Sequence, residues 1–224
     1  TVVPGGGTRA PDGPSGRMAM VGRSAELAWL GEAARQAATG AGRAVVVSGE
    51  PGIGKTRLAE ELVAEAAAEG FVVAWARCQE SASAAPYWGY TQIAEQLLDA
   101  GVISDAARDG ISAAGGGVHS IDPGADRPTL HATMVAAVRS STRPLLLVVD
   151  DLQWADASSL RALEFVSGAL ATVPVLLLAT VRPVAADASP ALVDCLAELA
   201  RQPGSERIDL HGLTHADVGT WLSR

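Results

Sequence analysis

A chain of 224 residues, 48% of them hydrophobic, can bury one sizeable core, or one domain and part of a second. No apolar run approaches the roughly 18 residues that a membrane helix needs. The Gly- and Pro-rich opening has no secretory signal, so a cytoplasmic location without membrane contact is the expectation. A formal net charge of −8 argues against this segment itself gripping a nucleic-acid backbone, which takes clustered positive charge.

Residues 1–19 are dominated by Gly, Pro and small polar residues and read as a disordered lead-in. The first residue is not Met, which suggests a fragment or a processed start. Order is expected from Met20. Ser24 is a candidate N-cap, and Leu27, Leu30 and Ala34 recur at helical spacing up to Gly40. Arg43–Ser48 is a β-branched run of buried-strand length. Glycines follow, then a helix from Lys55 to Glu69 with Leu58, Leu62, Val63 and Ala66 on its apolar face and Gly70 as its stop. Phe71–Arg77 is a second strand, and strand–helix–strand points to a parallel sheet with helices on its faces.

Tyr87, Trp88 and Tyr90 read as a packing cluster, with an inducer or partner contact as the alternative. The stretch 101–127 is loop-like, and part of it reads as a flexible insertion. Beyond it the pattern predicts a helix over Thr129–Ser140, a third strand over Pro144–Asp150 and a helix over Ser158–Ala171. A fourth strand over Val173–Thr180, a helix over Ala191–Arg201 and a short fifth strand over Arg207–Leu210 complete the domain, taken as residues 20–210. Thr214 then caps a last helix with Asp217 in the capping-box position. Residues 211–224 are expected to begin a truncated helical lid or winged-helix region.

Gly49-Glu50-Pro51-Gly52-Ile53-Gly54-Lys55-Thr56 matches the phosphate-binding loop pattern, with a strand before it and an amphipathic helix after it. Glycines let successive backbone N–H groups turn toward phosphate oxygens. The helix beginning at Lys55 adds its positive dipole end. Of 17 basic residues 16 are arginine, and Lys55 is the single lysine. It therefore has to be the point charge between the β- and γ-phosphates, while Thr56 offers a hydroxyl to magnesium. Leu145–Val149 ends in Asp150 and Asp151. Asp150 is the candidate metal ligand, acting through water. Asp151 either orients or deprotonates the attacking water, or sits one shell further out. Asp156 reads as an N-cap and Trp154 as packing beneath the site. Arg182, at the end of the fourth strand, either senses the γ-phosphate or is a surface arginine at a turn. An Asn-Lys-x-Asp element for guanine would need a second lysine, so ATP is preferred over GTP. Cys78 and Cys195 form no CxxC pair and read as small hydrophobes. The four histidines show no metal spacing.

These motifs carry a resemblance. Val21-Gly22-Arg23-Ser24-Ala25-Glu26-Leu27, the loop from Gly49 through Thr56 and Arg57, Pro86-Tyr87-Trp88, Asp150-Asp151-Leu152-Gln153-Trp154-Ala155-Asp156 and Leu178-Ala179-Thr180-Val181-Arg182-Pro183 are similar to the signatures of bacterial signal-transducing ATPases with numerous domains (STAND). Gln153 stands where these usually have His. The family includes the ATPase portions of large LuxR-type and maltose-activator-like transcriptional regulators. The resemblance implies an AAA-like three-layer α/β/α fold with parallel sheet order 5-1-4-3-2. It implies that Val21, Gly22 and Arg23 contact the adenine end, with the downstream lid contact missing. It also implies an ATP/ADP switch with Mg2+ that self-associates when ATP and inducer are bound, and DNA as a partner only through a domain outside this sequence. Slow hydrolysis as a timer is the leading reading. A nucleotide-gated scaffold with little turnover is the alternative. A small-molecule kinase fits less well, because 101–127 offers only Arg108 and Arg127 where such enzymes need transition-state arginines.

Overall fold

Short apolar strands alternate with amphipathic helices, and that alternation builds a parallel sheet covered on both faces. The computed structural model describes residues 20–80, 86–114, 127–183 and 188–223. In chain order the elements are α1 (Ser24–Ala38), β1 (Arg43–Gly49), α2 (Lys55–Ala68), β2 (Val72–Arg77), α3 (Trp88–Asp99), α4 (Asp105–Ala114), α5 (Arg127–Ser140), β3 (Leu145–Asp150), α6 (Ala157–Ser167), β4 (Val175–Val181), α7 (Pro190–Arg201), β5 (Glu206–Leu210) and α8 (His215–Leu222). The strands lie in the order β2-β3-β4-β1-β5, all paired in parallel. Read from the other edge, this is the expected 5-1-4-3-2.

The period-2 geometry of a strand sorts its residues between two cores. Ala44, Val46, Leu145, Leu147, Val149, Val175, Leu177 and Ala179 face a layer built from α3 to α7. Val45, Val47, Leu146, Val148, Leu176 and Leu178 face α1 and α2 through Leu30, Leu58 and Leu62. Strands buried on both faces therefore read as continuous apolar runs. Leu178 lies at the centre of the middle strand and is fully buried. Leu178→Ala is expected to cost about 2–5 kcal/mol of stability through lost burial and a residual cavity. Urea unfolding measures this, and a loss below 1 kcal/mol would contradict the packing described.

Several local expectations change. Arg23, not Ser24, is the α1 N-cap, and its side chain makes no capping bond. The stretch 101–127 contains helix α4, so the loop reading is corrected over Asp105–Ala114. Ser104 Oγ accepts the Ala107 amide at the start of that helix, and Ile103 and Ile111 are buried in the core. Residues 115–126, like the expected disorder at 1–19, lie outside the described residues. The helix expected over Ser158–Ala171 stops at Ser167 and is followed by a 3-10 turn, Leu170–Thr172. Tyr87 and Tyr90 pack edge to face, 6.4 Å between ring centres, but Trp88 is 48% exposed and is not part of the cluster. The α8 capping box between Thr214 and Asp217 is present as expected. Burial pushes both cysteine thiols up to about 12, which leaves them as unreactive apolar side chains. Among the described residues no helix is long and apolar enough to cross a membrane.

Candidate functional site

The phosphate-loop, acidic and arginine candidates, Gly49–Thr56, Asp150, Asp151 and Arg182, sit at or just beyond the carboxyl ends of the strands, where a doubly wound sheet opens toward a ligand. The chain leaves β1 at Gly49, turns through residues 50–54 and enters α2 at Lys55. Gly54 has φ 103°, a left-handed conformation that a side chain would strain, and it makes no side-chain cap. The first-turn amides of α2 are thus left for an anion. Lys55 is only 7% exposed, and its Nζ donates to the carbonyls of Gly49 at 2.6 Å and Glu50 at 3.1 Å. Burial lowers its pKa. The negative charge of Asp151 opposes this, the positive charge of Arg182 adds to it, and Asp150 and Glu50 oppose it. Four charged neighbours from three parts of the chain therefore converge on one ammonium group, and a phosphate there would favour its charged form.

Asp150 ends β3 and is fully buried. Thr56 Oγ1 lies 3.1 Å from both of its carboxylate oxygens. Thr180 Oγ1 donates to Oδ1 at 2.6 Å, and Arg77 Nε donates to Oδ2 at 3.2 Å. Thr180, from β4, also accepts the Asp151 amide at 2.9 Å, so one hydroxyl ties both acids to the neighbouring strand. Asp151 itself takes a left-handed backbone, φ 60° and ψ 48°, uncommon for a residue with a side chain and typical of strained functional turns. Its Oδ1 accepts Gln153 Nε2 at 2.9 Å, and Gln153 Oε1 accepts the Arg182 amide at 3.1 Å. The Arg182 guanidinium lies 5.3 Å over the Trp154 ring. Asp156 is the α6 N-cap, accepting from the Ser158 and Ser159 amides, and it also holds the Tyr87 amide at 3.2 Å.

The donor set suits magnesium. Asp150 and Thr56 present hard oxygen atoms in mutual contact. Among the described residues no group of three or more His, Cys, Asp or Glu could hold a cation. Two protein oxygens fill only part of an octahedral magnesium shell, so phosphate and water would complete it.

The segment ahead of α1 forms a second wall. Arg23 is buried, donates to Glu26 at 3.0 Å and to the His211 carbonyl, and so fastens the start of the fold to its end. Gly22 has φ 70°, and a Cβ there would lie 2.6 Å from Asp217 Cγ. Helix α8 therefore packs directly on this turn. Between them opens a cavity of about 320 Å³, lined by Met20, Val21, Arg23, Ile53, Arg57, Leu213 and Trp221. Leu213, ahead of α8, and Trp221, within it, line this cavity from the far end of the fold. Apolar cavities near Tyr90 and Ile93 are lined by core residues and lie away from the phosphate loop. Arg77, Leu213 and Trp221 lie outside every sequence motif, and Thr180 lies within the Leu178–Pro183 signature with no role of its own there. The strand register carried the signal for Arg77, which pairs with Asp150. Nothing local marks Trp221.

A phosphate loop after β1, an acidic pair after β3 and a strand inserted between the two define a P-loop nucleotide-binding domain of the additional-strand class. The family model for the AAA ATPase domain matches residues 19–178, and the chain belongs to that family. Among solved structures it is similar to Cdc6p from Pyrobaculum aerophilum, with 14% identity and a TM-score of 0.57 over 97% of this chain and 50% of that one. It is also similar to the Aeropyrum pernix Orc1 protein in complex with DNA, with 17% identity and a TM-score of 0.54 over 92% of this chain and 49% of that one. The chain spans about half the length of these structures, and likeness at such identity shows the fold alone. A comparison with curated proteins found no match.

Proposed function

We propose that this domain binds ATP with magnesium, hydrolyses it slowly, and serves as the nucleotide switch of a larger signal-responsive regulator. The observation that carries the nucleotide reading is the contact of Thr56 with both Asp150 oxygens beside the buried Lys55. A loop hydroxyl, a strand-end carboxylate and an ammonium group meet at the mouth of a helix. Lys55 exchanges its carbonyl partners for β- and γ-phosphate oxygens. Magnesium, held by Thr56 and Asp150, neutralises phosphate charge when bound. Asp151 accepts a proton from, or orients, the attacking water. Arg182 supplies positive charge to the terminal phosphate, and that contact differs between ATP and ADP. A switch needs such a difference, because a ligand with equal affinity for both states shifts neither. The motifs shared with signal-transducing ATPases support the regulatory role, self-association on ATP binding, and DNA as a partner through a segment outside this sequence. Titrating a fluorescent ATP analogue with and without Mg2+, followed by measurement of phosphate release, tests the reading. Failure to bind would sink it.

The cavity beside the loop is the proposed base site, with Val21 and Arg23, which flank Gly22, on one side and Trp221 on the other. Stacking of a base on an aromatic ring is worth about 1–3 kcal/mol. Trp221→Ala is therefore expected to weaken ATP binding about tenfold. Tripolyphosphate binding, which has no base, should not change. Calorimetry with both ligands checks this, and an equal loss for both would remove Trp221 from base recognition.

One observation favours the scaffold reading. Gln153 Nε2 donates to Asp151 Oδ1, so one of the two carboxylate oxygens is already engaged. A domain that binds ATP with no measurable phosphate release would fit that alternative.

A further inference from the structure

Arg77 ends β2, and the parallel register sets it beside Asp150 at the end of β3. Its Nε donates to Asp150 Oδ2 at 3.2 Å. The aspartate side chain is fully buried, whereas that of Arg77 is 53% exposed. The carboxylate's other side-chain partners, Thr56 and Thr180, are neutral hydroxyls. Lys55 donates to loop carbonyls instead. Among the described residues, Arg77 is thus the cation bonded directly to this acid, and a buried carboxylate needs one. The Arg77 backbone is pinned separately. Gln92 of α3 accepts its amide at 3.3 Å and donates to its carbonyl at 3.4 Å, so the side chain can turn while the strand stays in place.

We infer that Arg77 is the resident counter-ion of Asp150 and competes for it with the divalent cation that accompanies the nucleotide. Both bind the same carboxylate, and like charges so close repel. Loading the cation therefore turns the guanidinium outward, and its half-exposed position gives it water to turn into. Thr56 and Thr180 stay at the carboxylate, so the exchange replaces the guanidinium with the divalent cation without moving the strands. This inference rests on the proposal that Asp150 takes a cation together with nucleotide.

The test is Mn2+ affinity, read by electron paramagnetic resonance in the presence of ADP, for the wild type, Arg77→Gln and Arg77→Lys. Removing a half-exposed competing charge should tighten Mn2+ binding roughly fivefold in Arg77→Gln. Arg77→Lys keeps a charge on a mobile stem and should stay within about twofold of the wild type. Melting temperature in EDTA without nucleotide should fall in Arg77→Gln, and the deficit should vanish when Mn2+ and ADP are present. Unchanged or weaker Mn2+ affinity in Arg77→Gln overturns the inference, as does a melting deficit of equal size in both conditions. If the wild type shows no ADP-dependent Mn2+ binding, the nucleotide reading of the site falls and takes this inference with it.

Discussion

Lys55→Ala is expected to lower the affinity for MgATP by about a hundredfold or more, with the fold intact. A hydrogen bond to a charged group contributes about 1.5–3 kcal/mol. This ammonium is buried and is the only lysine in the chain, so no other lysine can replace it. The larger end of that range corresponds to roughly two powers of ten in binding. Stability should change little, because Lys55 bonds two loop carbonyls and anchors no core packing. Removing a partly desolvated ammonium even offsets part of the lost bonds. A fluorescent ATP analogue and a melting curve measure both quantities. Unchanged affinity in a folded variant would count decisively against the phosphate site.

Asp151→Asn is expected to reduce phosphate release by about a hundredfold or more, the scale of a lost general base, while ATP binding stays within a few-fold. The substitution is nearly isosteric. Asn tolerates the left-handed backbone that position 151 requires, and its side-chain oxygen can still accept from Gln153. The Asp151 amide keeps its bond to Thr180. The change therefore removes acid–base capacity and little else. A malachite-green phosphate assay reads the outcome. Unaltered turnover would take Asp151 out of the mechanism and leave water activation to another group. If neither protein turns over while both bind ATP, the scaffold reading gains.

The two experiments probe features of different kinds. Lys55 and Thr56 lie inside one local pattern whose spacing follows from the shape of a phosphate chain. Asp150 and Asp151 are legible because the buried apolar strand they end follows a phosphate loop in the same chain; alone, an acidic pair after a strand reads as readily as turn chemistry. The register of β3 against β4 then brings Thr180 to both acids, which no local pattern announces. Arg77 looks like any arginine at a strand end until β2 is placed beside β3. Helix α3 went unread because a short run of aromatics and small residues resembles packing as much as periodicity. Helix α4 is obscured by Gly110 and by the glycine-rich sequence that follows it, although its alanines favour a helix. Propensity is a weak signal there, and burial of Ile103 and Ile111 overrides it.

By itself, the sequence determined the phosphate loop, the acidic strand end, the alternation of strands with helices and the two-sided burial of the sheet. Each depends on residues within one turn or one strand of each other, where backbone geometry translates directly into spacing. Only the tertiary structure decided that Arg77 and Thr180 share the Asp150 carboxylate. Only it brought Trp221 to the cavity beside Val21, across nearly the whole length of the chain. Such pairings are set by strand order and by the Arg23–His211 and Gly22–Asp217 contacts. They arise when segments far apart in sequence meet at one end of the sheet, and nothing in either local segment encodes the other.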